Sequence, residues 1–115
     1  MEYRVVMTPE AQAAIDRDIA YIRQQASPKI ADRWYHGLIE AIASLSDMPT
    51  RCGVIPEQWL FDDEFRQLLY GRRQHKRRVI FFIDDDTVYV VRYQHGRLPP
   101  LSGPEELGPP SLLDD

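Results

Sequence analysis

The sequence predicts an α+β domain: an N-terminal strand, then a two-helix antiparallel hairpin packed on an antiparallel β-sheet. Two amphipathic stretches with helical spacing, each opened by a hydroxyl residue and a proline, follow one another almost without a linker. Three short apolar runs separated by turn residues come next, the pattern of strands rather than of further helices. With 115 residues, 43% of them hydrophobic and 28% charged, the chain is long enough for one core and too short for two.

Residues 2–7 alternate at their start and read as a strand that ends at Thr8-Pro9. Thr8 is a helix cap, and Pro9 at the first helical position gives up only an amide that has no intrahelical partner. Ala11, Ile15, Ile19, Ile22 and Ala26 then form an apolar stripe, which predicts a helix over residues 9–25. Ser27-Pro28 repeats the device, and Ala31, Trp34, Leu38, Ala41, Ile42 and Leu45 make a second stripe that ends at Met48-Pro49. So short a turn between two such helices folds them back antiparallel. Gly37 lies inside the second helix, where glycine costs about 1 kcal/mol relative to alanine, so a close neighbour is expected there.

Residues 49–64 are an irregular connection across the core edge, with Trp59 and the acids Asp62, Asp63 and Glu64. Phe65 to Tyr70 reads as a strand stopped by Gly71, and the basic stretch Arg72 to Arg78 leads to a central strand, Val79 to Ile83. Asp84-Asp85-Asp86 is a hairpin turn into the last strand, Thr87 to Tyr93. Five of the nine prolines fall in the last 17 residues, so the folded domain is assigned to residues 1–98 and a mobile, acidic, proline-rich tail to 99–115.

Charge is segregated. The net of −4 divides into −5 over residues 1–65, +5 over 66–97 and −4 over 98–115, which points to a local anion-facing surface rather than a nucleic-acid coating protein. No apolar run reaches the ~20 residues of a membrane span, and the N-terminus lacks a secretion signal. Cys52 is the only cysteine, which excludes an internal disulfide and fits a reducing cytoplasm. His36, His75 and His95 lack metal-ligand spacing with one another or with Cys52, so neither metal nor cofactor is expected.

A set of motifs runs in order from residue 3 to residue 97. It comprises Ala13-Ala14-Ile15-Asp16, Tyr21-Ile22, Ser27-Pro28 with Ala31, and Leu45 to Pro49 with Gly53. It continues through Arg66-Gln67-Leu68-Leu69-Tyr70-Gly71, Arg78 to Ile83, Val88 to Val91 and His95-Gly96-Arg97. In this combination the chain resembles the RelE/ParE superfamily of toxins from type II toxin–antitoxin modules, of the ParE-like, plasmid-stabilisation type. The resemblance implies a growth-inhibiting toxin neutralised by a cognate antitoxin, which lays a segment over its surface and forms an oligomer with it.

Two activities share that fold, and fold alone does not choose between them. A ParE-like protein acts by binding a target such as DNA gyrase, with no catalytic set. A RelE-like protein cleaves ribosome-bound mRNA, which requires a proton acceptor for a ribose 2′-hydroxyl, cations for the phosphate and an acid for the leaving oxygen. For the second activity the candidates are Arg78 as phosphate clamp and His95 as acid or base, with Glu57, Glu64 and Tyr93 as lesser ones. Some nucleases of the superfamily carry tyrosine directly after that histidine; Gly96 stands here, as in the ParE-like branch. The target-binding candidates are Arg66, Arg77, Arg78, Arg92 and Arg97. Against a functional role stands simple pairing of Arg66 and Arg92 with acids across the sheet, each such exposed pair worth ~0–1 kcal/mol. Trp34 and Tyr35 read as packing residues, and Trp59 as a residue capping the core or touching a partner.

Overall fold

The computed structural model describes residues 2–96 and 100–107. Strand β1 (Arg4–Met7) leads into helices α1 (Pro9–Gln25) and α2 (Pro28–Ala43), followed after a long connection by β2 (Arg66–Tyr70), β3 (Arg77–Asp84) and β4 (Thr87–His95). Both helices begin as the sequence dictates. The Ala11 N–H donates to Thr8 Oγ1 (3.3 Å) and the Ile30 N–H to Ser27 Oγ (3.1 Å), with proline in the first turn of each helix. After α2 the chain tightens into a 3-10 turn, Ser44–Ser46, and Arg51 returns to cover the end of the helix, donating to the Asp47 carbonyl (2.6 Å) and Ser44 Oγ (2.7 Å).

The sheet order is β1-β4-β3-β2. Strands β2, β3 and β4 form the expected antiparallel meander, but β1 lies parallel to β4, Val5 beside Val88 and Met7 beside Val90. The sheet is therefore mixed, where the sequence pattern predicts an antiparallel one. The helical hairpin and the long connection separate β1 from the meander, so no tight turn forces β1 antiparallel to its neighbour β4. Side-chain periodicity carries no trace of that direction.

Strand β3 begins at Arg77, so Arg77 and Arg78 belong to the strand rather than to the loop before it, and Arg77 through Phe82 are all buried. Successive residues face opposite sides of the sheet. Val79 and Phe81 meet the helices in a core with Ala11, Ile15, Leu38, Ile42 and Leu45. Ile80 and Phe82 face the other way, into a second cluster with Ile55, Phe65, Val91, Leu101 and Leu107. Both faces of the sheet are thus covered, one by the helical hairpin and the other by the chain flanking it.

Two segments differ from their sequence-based reading. Part of the 49–64 connection pairs with the outer edge of β2: Val54 bridges Arg66, the Gln67 N–H donates to the Gly53 carbonyl (3.0 Å), and the Ile55 N–H donates to the Phe65 carbonyl (3.0 Å). Beyond residue 99, where proline density predicts no regular element, Pro104–Leu107 form a 3-10 turn and Leu101 and Leu107 are buried. The two leucines supply apolar area that the second cluster lacks from the sheet alone.

Gly37 finds the expected neighbour. A Cβ there would collide with the Tyr70 hydroxyl, which reaches over the glycine to donate to the Trp34 carbonyl (3.0 Å). Gly71, just after β2, has φ +100, and a Cβ there would come within 2.8 Å of the Trp34 ring.

Candidate functional site

Arg77 and Arg78, adjacent in β3, project to opposite faces, and a carboxylate meets each. On the helix face, Arg77 Nε and Nη2 donate to Asp18 of α1 at 2.9 and 3.3 Å, and Nη1 donates to the His75 carbonyl at 2.7 Å. The guanidinium carbon lies 5.2 Å from the centroid of the Trp34 ring, which packs edge-on against Tyr70 at 4.7 Å. The Tyr93 hydroxyl donates to the same Asp18 carboxylate. Burial and that hydrogen bond push the Tyr93 phenol well above its ordinary pKa.

On the other face, Arg78 makes a two-pronged pair with Glu57, both distances 2.8 Å, while its Nε donates to Gln67 Oε1 at 2.8 Å. Both partners are buried, and Glu57 also accepts from the Leu101 N–H (3.0 Å). The hydrogen bonds from Arg78 hold the Glu57 carboxyl at a pKa of about 2, outweighing the opposing effect of burial.

The remaining candidates are also engaged. Arg66 donates to the Cys52 carbonyl (2.6 Å) and to Glu64 (3.0 Å), a near neighbour in sequence rather than an acid across the sheet. Arg92 donates to Gln94 Oε1 (2.5 Å) and to the Glu106 carbonyl (2.9 Å). His95 is half-buried at the end of β4, opposite Arg77 in the register. Arg97 lies outside the described residues. The structure thus joins Arg78 to Glu57, brings Tyr93 to Arg77 through Asp18, and, among the described residues, pairs Glu64 with Arg66 alone.

Sequence reasoning missed Asp18 and Gln67, which complete these two networks. Asp18 stands four residues before Ile22 and just ahead of the apolar Ile19, at the edge of the α1 stripe, which is the one signal in the sequence that it faces the sheet. Which cations stay in water is set by the fold and not by the basic stretch as such. Arg33, Arg72, Arg73 and Lys76 are exposed and, among the described residues, make no side-chain hydrogen bond or ion pair. Trp59 is 83% exposed, so it does not cap the core. Among the described residues no group of His, Cys, Asp and Glu is placed to hold a metal ion, and no helix is long and apolar enough to cross a membrane.

The fold is that of a solved structure described as a chromosomal ParDE toxin–antitoxin system from P. aeruginosa. The TM-score is 0.66 at 15% identity, over 82% of this chain and 96% of that one. No curated protein matches the sequence. The family model for the ParE toxin of the type II toxin–antitoxin system parDE matches residues 5–98, nearly all of the folded sequence. The chain belongs to the ParE toxin family of type II toxin–antitoxin systems.

Proposed function

We propose that this protein inhibits growth in the cytoplasm by binding a macromolecular target, DNA gyrase being the first to test, and that a cognate antitoxin neutralises it by covering its surface. The observation that supports a binding mode over RNA cleavage is the engagement of Arg78. Its Nε and both terminal nitrogens are committed to Gln67 and a buried carboxylate, and Glu57 stays ionised down to a pKa of about 2. A phosphate approaching Arg78 must break that pair and leave a buried carboxylate without its cation, which costs several kcal/mol. An ionised Glu57 also has no proton to give a leaving group at neutral pH.

The test uses purified full-length protein in two assays at the same inhibitory dose. Inhibition of gyrase supercoiling with intact mRNA in a translating extract is the expected result. Cleaved mRNA that is spared by His95→Gln and Arg78→Ala, with supercoiling undisturbed, overturns it in favour of the nuclease. Neutralisation is tested by co-expression with the product of the neighbouring short reading frame, which is expected to restore growth.

A further inference from the structure

The connection that brings Glu57 to Arg78 also carries Trp59, which at 83% exposure is the most exposed large apolar side chain among the described residues. The backbone beneath it is fixed. Gln58–Leu60 form a 3-10 turn in which the Gln58 N–H donates to the Ile55 carbonyl (3.1 Å) and the Leu60 N–H to the Glu57 carbonyl (2.9 Å). The Gln58 amide then braces the next bend, donating to the Asp63 carbonyl (2.5 Å) and accepting from the Phe65 N–H (2.7 Å). Ile55 and Glu57 are buried ahead of the turn. Behind it, Phe61 packs edge-on against Phe65 with ring centres 5.2 Å apart, and Phe65 against Phe82 of the sheet at 5.8 Å. A buried ion pair, a cross-bracing amide and an aromatic ladder thus hold in place a turn that presents its indole to water.

A large aromatic side chain on a backbone that is already ordered loses little freedom on docking, so more of its apolar gain appears as affinity. The charge around it selects the partner. Asp62, Asp63 and Glu64 are exposed just after the turn, and no basic residue stands between Arg51 and Arg66. Arg66 itself is spent on the Cys52 carbonyl and on Glu64. A phosphate backbone or an anionic lipid surface that approached the indole would meet these carboxylates and be repelled. Lys and Arg side chains are instead attracted by the carboxylates and also sit well over an indole face. A segment laid along the surface offers no hollow for a projecting ring, whereas a folded protein does. We propose that Trp59 anchors this chain to its target by seating in a hollow of a folded protein, apolar within and rimmed by Lys or Arg. The inference rests on the reading that the protein acts by binding a target, and it places that contact apart from the arginines of β3.

The experiment compares the full chain with its variants, first by growth arrest on expression and then, with purified proteins, by inhibition of gyrase supercoiling at about 50 and about 200 mM salt. Trp59→Ala should need about tenfold more protein or higher for the same inhibition, as loss of an anchoring contact does. Its melting curve should match that of the unaltered chain, because so exposed a side chain supports little of the fold. The double change Asp62→Lys/Asp63→Lys should also weaken inhibition, most at the lower salt. Ile30→Ser, which removes a half-exposed apolar side chain from α2, should inhibit like the unaltered chain. Trp59→Ala should still co-purify with the product of the neighbouring reading frame. Equal inhibition by Trp59→Ala and the unaltered chain overturns the inference and leaves the functional reading standing. Equal loss in Trp59→Ala and Ile30→Ser also overturns it, as does loss of co-purification by Trp59→Ala, which assigns the indole to the antitoxin. Growth arrest without any effect on supercoiling removes gyrase, and the growth comparison then decides on Trp59 by itself. An unaltered chain that neither arrests growth nor inhibits supercoiling overturns the functional reading and the inference together.

Discussion

Glu57 receives both terminal nitrogens of Arg78 at 2.8 Å, and this pair is the joint between the sheet, the irregular connection and the C-terminal segment, whose Leu101 N–H donates to the same carboxylate. The Glu57 pKa falls from 4.5 to about 2 on folding. A lowered carboxyl pKa gives stability that is complete above the unfolded value and is lost as pH falls through the folded one. Glu57 therefore contributes up to about 3 kcal/mol at neutral pH, disappearing between roughly pH 4.5 and 2. Urea unfolding against pH should show Glu57→Gln destabilised at pH 7 and flatter than the unaltered chain over that acid range.

Gly37→Ala should destabilise the protein even though alanine is the better helix former. The new methyl group collides with the Tyr70 hydroxyl, and overpacking of this kind costs about 1–3 kcal/mol. In a Tyr70→Phe background the hydroxyl clash is gone and only the ring edge remains, 3.3 Å from the new methyl group, so the same change should cost much less. A double-mutant cycle by chemical denaturation checks this coupling, at the cost of the hydrogen bond to the Trp34 carbonyl in both Phe variants.

Asp18→Ala leaves the buried Arg77 guanidinium and the Tyr93 hydroxyl without their acceptor. Breaking a buried pair costs about 3–5 kcal/mol, and the lower end applies because Asp18 keeps some contact with water. Tyr93 adds an alkaline signature. Its raised pKa means that the stability of the neutral phenol is complete below the unfolded value near 10 and is lost as pH rises beyond it. Ultraviolet titration should show one tyrosine that ionises only as the protein unfolds, and Tyr93→Phe should remove it.

Leu101→Ala and Leu107→Ala each delete a buried side chain from the second apolar cluster, and each should cost about 2 kcal/mol or more. Thermal melts check this directly. Losses below about 0.5 kcal/mol, as at surface positions, would contradict the docking of residues 100–107 against Phe65, Ile80 and Val91.

Helix ends, helix pairing and the buried central strand were legible in the sequence because each has a local cause. Thr8-Pro9 and Ser27-Pro28 carry their own capping chemistry, and Val79 to Phe82 are apolar on both faces because both faces are covered. Gly37 announced a close neighbour, though not which one. Of the site, the sequence located the basic stretch and named Arg78 and Glu57 without joining them, since residues 21 apart in the chain carry no mark of their contact.

What only the tertiary structure decided is which way the charged residues face. The direction of β1 depends on which strand it pairs with, and the docking of Leu101 and Leu107 depends on an apolar surface built from distant residues. The clearest case is β4, where the register against β3 slips at Ile80/Phe81, so that Phe81 opposes Val90, Ile80 opposes Arg92, and Val91 is the extra residue. A strict alternation from Val88 and Val90 would turn Tyr93 away from the helices. The bulge instead returns Tyr93 to the helix core and to Asp18, and leaves Arg92 on the face of Glu106. Alternation in the sequence names two sets of residues, but one unpaired residue in the ladder exchanges their faces, and that residue is chosen by packing across the sheet.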